Sequence, residues 1–154
     1  MLNIRPVSEA DKSSWAPLWD GYLEFYRTQL PQAQSDLTWQ RLIDPDFNLY
    51  GLVAQRDGKL QGLTHYSFQI SSWAPKNFCY LEDLFVDPQV RCVGIGRALI
   101  DGVRDVALSS GSSRLYWNTD ATNSTARKLY DSYISESGKV QYRIQFASDY
   151  EEDM

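Results

Sequence analysis

The sequence predicts an α/β fold of the α+β kind, a mixed and mostly antiparallel sheet with elements in the order β-α-α-β-β-β-α-β-α-β. Three observations carry that prediction. Two alternating apolar runs, "NLYGLVAQRDG" and "KLQGLTHYSFQISSW", meet at Asp57-Gly58, a strong hairpin signal. A further β-rich run, "FCYLEDLFVDP", leads through a glycine-bearing loop into the helix-periodic stretch "GRALIDGVRDVALSSG". After that helix, strand and helix patterns alternate, so a β-loop-α-β-α-β half follows an antiparallel half, with helices on the sheet faces.

Each element has its own grounds. "LNIRPV" alternates like a short strand and stops at Pro6. Ser8 is a good N-cap, and Asp11 three residues on makes a capping box with Asp in place of Glu. Trp15, Leu18, Trp19, Tyr22 and Tyr26 then recur at helical spacing, with Pro17 expected to kink or split the helix. A short second helix is expected over 36–43, before "DPDF". Asp87-Pro88 ends the third β-rich segment, and Gly111 closes the helix that follows. "SRLYWNTD" reads as a strand, "NSTARKLYDSYI" as a helix and "KVQYRIQFA" as a last strand. The 154 residues, without repeats or linkers, make one domain over 1–154, enough to bury a sizeable core.

Composition narrows the function classes. A formal net charge of -5 argues against general affinity for nucleic-acid phosphates and suits a cationic substrate. No apolar run approaches the ~20 residues that span a bilayer, and "MLNIRPVSEADKSS" has no signal-peptide apolar region. A cytoplasmic protein without a membrane partner is expected, with Cys79 and Cys92 kept as thiols. The single histidine, His65, and the lack of a Cys/His cluster argue against a metal site.

The chemistry concentrates in "RCVGIGRALI". A helix N-terminus has amides without partners and a dipole that favours anions, and Gly94 and Gly96 would let a pyrophosphate reach those amides. Arg91 and Arg97 add positive charge at the loop's edges. The loop lacks the Gly-Lys-Ser/Thr of a P-loop, and Leu99 stands where a dinucleotide fingerprint has its third glycine. Taken alone it is equally a tight strand-to-helix turn.

Its surroundings decide between these. "VDPQVRCVGIGRALI" resembles the Arg/Gln-x-x-Gly-x-Gly/Ala signature of GNAT-type acetyltransferases, and "LYWNTDATNSTARKLYD" resembles that family's next segment. "YLEDLFVDP", "LYWNTD" and "SGKVQYR" are closest to a subgroup with the diamine (spermidine/spermine) and yeast histone/D-amino-acid acetyltransferase-like proteins. The resemblance implies the GNAT fold along the whole chain and acetyl-CoA as cosubstrate. It implies that amides of Cys92, Val93, Gly94, Ile95, Gly96 and Arg97 hold the pyrophosphate. Backbone groups of Leu84, Phe85 and Val86 would pair with the pantetheine arm, Asn123 would hydrogen-bond it, and Ser124 and Ala126 would line it. Cys92-Val93 departs from the Gly and polar or basic residue often found there. The subgroup's habit implies a homodimer through the C-terminal region.

Acetyl transfer to an amine needs a neutral amine, a polarised thioester carbonyl and a proton for the leaving thiolate. Tyr130 lies about two helical turns after Asn123, so both can face one cleft, and the family's Leu-Tyr motif makes it the general acid. A packing role for Tyr130 stays open. Glu82 is the base candidate, or else a substrate-orienting or solvated carboxylate; the corresponding Glu of diamine acetyltransferases has the basic role. Strand alternation places Glu82 and Asp83 on opposite faces, so only one should enter the cleft. The amide of Leu84 or Phe85 can serve the oxyanion if the strand bulges there. His65 is a second base or a hydrogen-bonded structural histidine. Trp19, Tyr22 and Tyr26 are core aromatics or pocket walls, with Asp20 and Glu24 as attractors for a cation.

The expected function is therefore direct ternary-complex transfer of acetyl from acetyl-CoA to a small-molecule amine, a polyamine or amino acid ahead of a protein lysine. The rivals are a non-catalytic acetyl-CoA-binding or partner-binding module and a nucleotide-binding α/β protein.

Overall fold

The computed structural model describes residues 1–90 and 94–146. Strand β1 (Asn3–Pro6) leads through a 3-10 turn (Glu9–Asp11) into α1 (Lys12–Phe25) and α2 (Gln32–Ile43). Strands β2 (Tyr50–Arg56), β3 (Lys59–Gln69) and β4 (Phe78–Val86) follow, then α3 (Ile95–Ser109), β5 (Leu115–Tyr116) and α4 (Ser124–Tyr133). One sheet runs β1-β2-β3-β4-β5. Its first four strands are antiparallel, and β5 joins β4 in parallel. The hairpin falls where Asp57-Gly58 places it, with both residues left-handed (φ 52° and 75°) as a type I′ turn demands.

Each sheet face carries a core. On one, α3 buries Ile95, Leu99, Ile100, Val103 and Ala107 against Leu52, Ala54, Tyr66 and Leu81. On the other, Trp15, Leu18 and Trp19 of α1 and Trp39 and Leu42 of α2 close over Val53 and Leu63. The chain entry to α1 is tied down by Asp11, whose carboxylate accepts from the Ser8 backbone N–H at 2.8 Å and from the two terminal guanidinium nitrogens of Arg5 at 2.7 and 2.8 Å.

Four expectations need correction. Helix α1 runs unbroken through Pro17, because buried Trp15, Leu18 and Trp19 on either side hold both halves to one core. Helix α2 begins at Gln32, four residues before the expected start, directly after Pro31. Strand β5 shrinks to Leu115–Tyr116. The final strand is absent over residues 139–146, which hold no strand partner among the described residues. Strand structure needs a neighbour, and here Val140, Tyr142, Ile144 and Phe146 stand exposed. Among the described residues, no helix is long and apolar enough to cross a membrane, and no group of three or more His, Cys, Asp or Glu could hold a metal.

Candidate active site

A slot opens where β4 and β5 part. Their pairing is limited to Cys79–Leu115 and Tyr80–Tyr116, while β4 continues six residues further to Val86. Along 82–86 the edge of β4 away from β3 therefore has no strand partner among the described residues. The Asp87 N–H donates to the Gln61 carbonyl, so by alternation the backbone groups of Phe85 also face β3, while those of Leu84 and Val86 face the free edge and are available to an extended ligand as they would be to a strand.

The N-terminus of α3 stands beside the slot. Gly94 is its N-cap at φ 92°, a left-handed conformation that favours glycine. The first helical bond runs from Ala98 N–H to the Gly94 carbonyl at 2.9 Å, so the amides of Ile95, Gly96 and Arg97 precede the ladder. Gly96 has a second reason to lack a side chain: a Cβ there would lie 3.1 Å from Leu129 Cδ2, so the residue also lets α4 pack against α3. The guanidinium of Arg97 lies over the Tyr133 ring at 4.8 Å, with the Tyr133 hydroxyl donating to Asp101 at 2.6 Å. Arg91, Cys92 and Val93 lie outside the described residues. On α4, Asn123 caps the helix by accepting from the Ala126 N–H at 3.2 Å, which leaves its amide NH2 to reach outward. Ser124 opens the helix and Ala126 follows in its first turn.

The carboxylates sit at a β-bulge in β4. His65 pairs with Asp83 and Tyr66 with Leu81, so Glu82 is the extra residue. Strict alternation therefore fails. Leu81 and Leu84 both pack toward α3, while Asp83 meets α1 and Phe85 joins the α1 core. The sequence does carry this signal: apolar Cys79, Leu81, Leu84 and Val86 step by two, then three, then two. The bulge falls at Glu82, two residues before Leu84, rather than at Leu84 or Phe85 where an amide donor is expected.

Asp83 is held from two sides. It accepts from the Tyr22 hydroxyl at 2.5 Å and lies 3.0 Å from Nδ1 of His65, whose Nε2 accepts from the Trp15 indole N–H at 3.1 Å. His65 is 1% exposed, so it does not open to the slot as a second base. Glu82 is exposed as a residue, yet protein atoms crowd its carboxyl end. That burial first, then the adjacent Asp83 charge, raises its proton affinity above the ordinary carboxylate value; His65 would oppose this only as a charged imidazolium, which its bond from the Trp15 indole disfavours.

Tyr130 packs at the rim of the α3 core, 5.5 Å from the Trp117 ring. Burial pushes its phenol up to about 12, with Tyr26 adding to the effect. Tyr26 in turn feels Asp120 and Asp83, and Tyr22 feels Asp83, Tyr26 and Glu82. Glu82 and Tyr130 are thus linked through Tyr22 of α1 and Tyr26, which caps its C-terminus. Trp19 turns inward, its indole donating to Ser35 at 3.1 Å. Asp20 and Glu24 line a separate depression of about 720 Å³ at the end of α1, which includes neither Glu82 nor Tyr130. Asp83, weighed in the sequence only as the carboxylate opposite Glu82, is joined by Asp120, which sequence reasoning passed over. Nothing in the spacing of Asp120 marks it.

The comparisons agree with this geometry. Residues 15–133 match the model of the Acetyltransferase (GNAT) family. The chain is 32% identical over 142 residues to a D-amino-acid N-acetyltransferase of Saccharomyces cerevisiae, covering 91% of this chain and 88% of that one. A thialysine N-epsilon-acetyltransferase of Mus musculus is 44% identical over 63 residues, 38% of this chain and 36% of its own. An aminoglycoside N-acetyltransferase solved in complex with CoA superposes with a TM-score of 0.80 at 18% identity, covering 96% of each chain, which speaks for the fold alone. With a family match spanning most of its length, a parted β4–β5 pair and a glycine-capped helix beside it, this chain belongs to the GNAT acetyltransferase family and is an acetyl-CoA-dependent N-acetyltransferase.

Proposed function

We propose that the chain transfers acetyl directly from bound acetyl-CoA to the primary amine of a small cationic molecule, a polyamine or an amino acid ahead of a protein lysine. The observation that carries this reading is the acidic, tyrosine-lined site around the β4 bulge, where Glu82, Asp83 and Asp120 gather near Tyr22 and Tyr26. An ammonium group is drawn to such a place, and the relatives' names speak of amino-acid and lysine-analogue acceptors. In this reading the amides of Ile95, Gly96 and Arg97, continuing the loop through Arg91, Cys92, Val93 and Gly94, hold the pyrophosphate of acetyl-CoA. The free edge at Leu84 and Val86, with Phe85 between them, holds its pantetheine arm, with Asn123, Ser124 and Ala126 alongside. Acetyl-CoA supplies the activated thioester.

The chain's own groups then handle protons. Glu82 takes one from the acceptor ammonium, and its raised proton affinity brings it nearer the working pH of a general base. Tyr130, kept protonated by burial, gives one to the departing sulfur. Cys79 is buried with its thiol pushed up to about 11, which speaks against an acyl-enzyme on that residue. The free thiol also accords with a cytoplasmic setting.

Tyr130→Phe tests the reading. Turnover should fall at least about 10-fold while calorimetry still reports acetyl-CoA binding. If the wild type releases no CoA with any amine in a panel of polyamines, D- and L-amino acids and basic peptides, the catalytic reading is lost and a non-catalytic acetyl-CoA-binding module takes its place.

A homodimer belongs to this proposal. Val140, Tyr142, Ile144 and Phe146 keep a strand's alternation while 79% to 94% exposed, and a second copy's sheet would supply the missing neighbour. Sedimentation should give twice the monomer mass, with dissociation when Tyr142 and Ile144 become Lys. A wild-type monomer at micromolar concentration would remove this part.

A further inference from the structure

Resting on the assignment of Glu82 as base, we propose that His65 is a positioning residue for the transfer: neutral, with its proton on Nδ1, it joins Tyr22 in locking Asp83 as a fixed anion beside Glu82, and that anion makes Glu82 the stronger base.

The argument begins with Trp15. An indole N–H only donates, so the 3.1 Å contact from Trp15 Nε1 requires a bare Nε2 on His65. The imidazole's one proton then sits on Nδ1, 3.0 Å from Asp83 Oδ2, and is donated to it. Trp15 is 2% exposed and His65 1%, so no water competes for either nitrogen. Protonating Nε2 would set two donors against each other in the core. The indole thus keeps the imidazole neutral.

Neutrality is the point. The Asp83 side chain is only 13% exposed and stands next to Glu82 in sequence, so its carboxylate needs hydrogen-bond donors from the protein. Two neutral donors, Tyr22 at 2.5 Å and His65 at 3.0 Å, stabilise the ionised form without cancelling its charge. A lysine or an imidazolium in place of His65 would fix Asp83 equally well but neutralise its field. The bulge completes the device, since it makes Glu82 the extra residue directly beside Asp83, whose carboxylate turns to α1. The groups facing Glu82 are Asp83 and Tyr80 on β4, His65 on β3 and Tyr22 on α1; Tyr26 stands behind Tyr22, and Asp120 faces Tyr26. Asp83 is the like charge among the direct neighbours, and it adds to burial in raising Glu82.

Two measurements test this without needing turnover. The chain holds a single histidine, so 15N-histidine NMR reads its tautomer with no assignment step. At pH 8 the Nδ1–H neutral form is expected; an Nε2–H form or an imidazolium overturns the proposal. The second is the titration midpoint of the Glu82 side-chain carboxyl, its NMR signal identified by loss in Glu82→Gln. Asp83→Asn should lower that midpoint by about one pH unit. His65→Asn, which keeps a donor at the Nδ1 position, should leave it at the wild-type value, and His65→Leu should reproduce part of the fall. An unmoved midpoint in Asp83→Asn overturns the role of the anion, and an unmoved midpoint in His65→Leu overturns that of His65. In turnover, the acidic limb of kcat/KM should move with the midpoint. A wild type that acetylates no amine would end the base assignment while both NMR readings stayed measurable, so the two failures are separable.

Discussion

The two faces of the sheet are built on different terms. Toward α3 the filling is largely aliphatic: Leu99, Ile100 and Val103 are fully buried and ask nothing of their neighbours but volume. Toward α1 and α2 the interior also carries Trp15, Trp19 and His65, whose ring nitrogens are hydrogen-bonded. Trp15 donates to His65, Trp19 to Ser35 and Tyr22 to Asp83. An aliphatic face fixes where elements lie. A hydrogen-bonded face also fixes where a proton and a charge lie, because an unsatisfied buried donor costs roughly 1–3 kcal/mol and so restrains each group to one orientation. In this fold the second kind of face lies under the carboxylates of β4, and the first kind braces the helix whose N-terminus opens on the slot.

The sharpest way to break the comparison is to damage the aliphatic face alone. Leu99 is 0% exposed, wedged among Ile95, Ile100 and Gly62. Leu99→Ala should cost about 3 kcal/mol in urea unfolding. Below its unfolding midpoint the variant should keep the wild-type His65 tautomer, since nothing on the α1 face has changed. A changed tautomer would mean that the two faces are one mechanical unit.

How far these faces were legible beforehand follows from what pattern can encode. Period and punctuation announced the hairpin at Asp57-Gly58 and the helix between Gly94 and Gly111, because local backbone preference and apolar spacing act there without distant partners. Glu82 and Tyr130 are candidates by resemblance, since no local pattern marks either role, and in the structure Tyr22 neighbours Glu82 and Tyr26 neighbours Tyr130. The Trp15–His65–Asp83 chain was not legible. It joins residues 50 and 18 positions apart, and only the strand register brings them together. Residues 139–146 fail for the opposite reason: their alternation marks a strand, but pairing is a property of two segments, and no second segment pairs with them among the described residues. Pro17 misled because a missing helical hydrogen bond was weighed without the three buried side chains around it.

A smaller effect sharpens the comparison at the outer end of α1. Asp11 is 7% exposed, and the Arg5 guanidinium bonded to both its oxygens is the main reason its carboxyl is lowered from 3.8 to about 2, with the Ser8 N–H helping and burial opposing. The sign of the pH dependence follows. A carboxylate depressed on folding contributes its full stabilisation above 3.8 and loses it as pH falls from there to about 2. The contribution is about 2 kcal/mol. Asp11→Asn should therefore lose about that much stability near neutral pH and show a flatter stability curve than the wild type between 3.8 and about 2. The measurement is urea unfolding in steps across that window. Parallel curves for the two proteins would mean that the Arg5 pair contributes nothing to the fold, and the polar face would then owe its order to packing, as the α3 face does. Converging curves would show that charge placement on this side holds up the helix that carries Trp15 and Tyr22, and with them the anion next to Glu82.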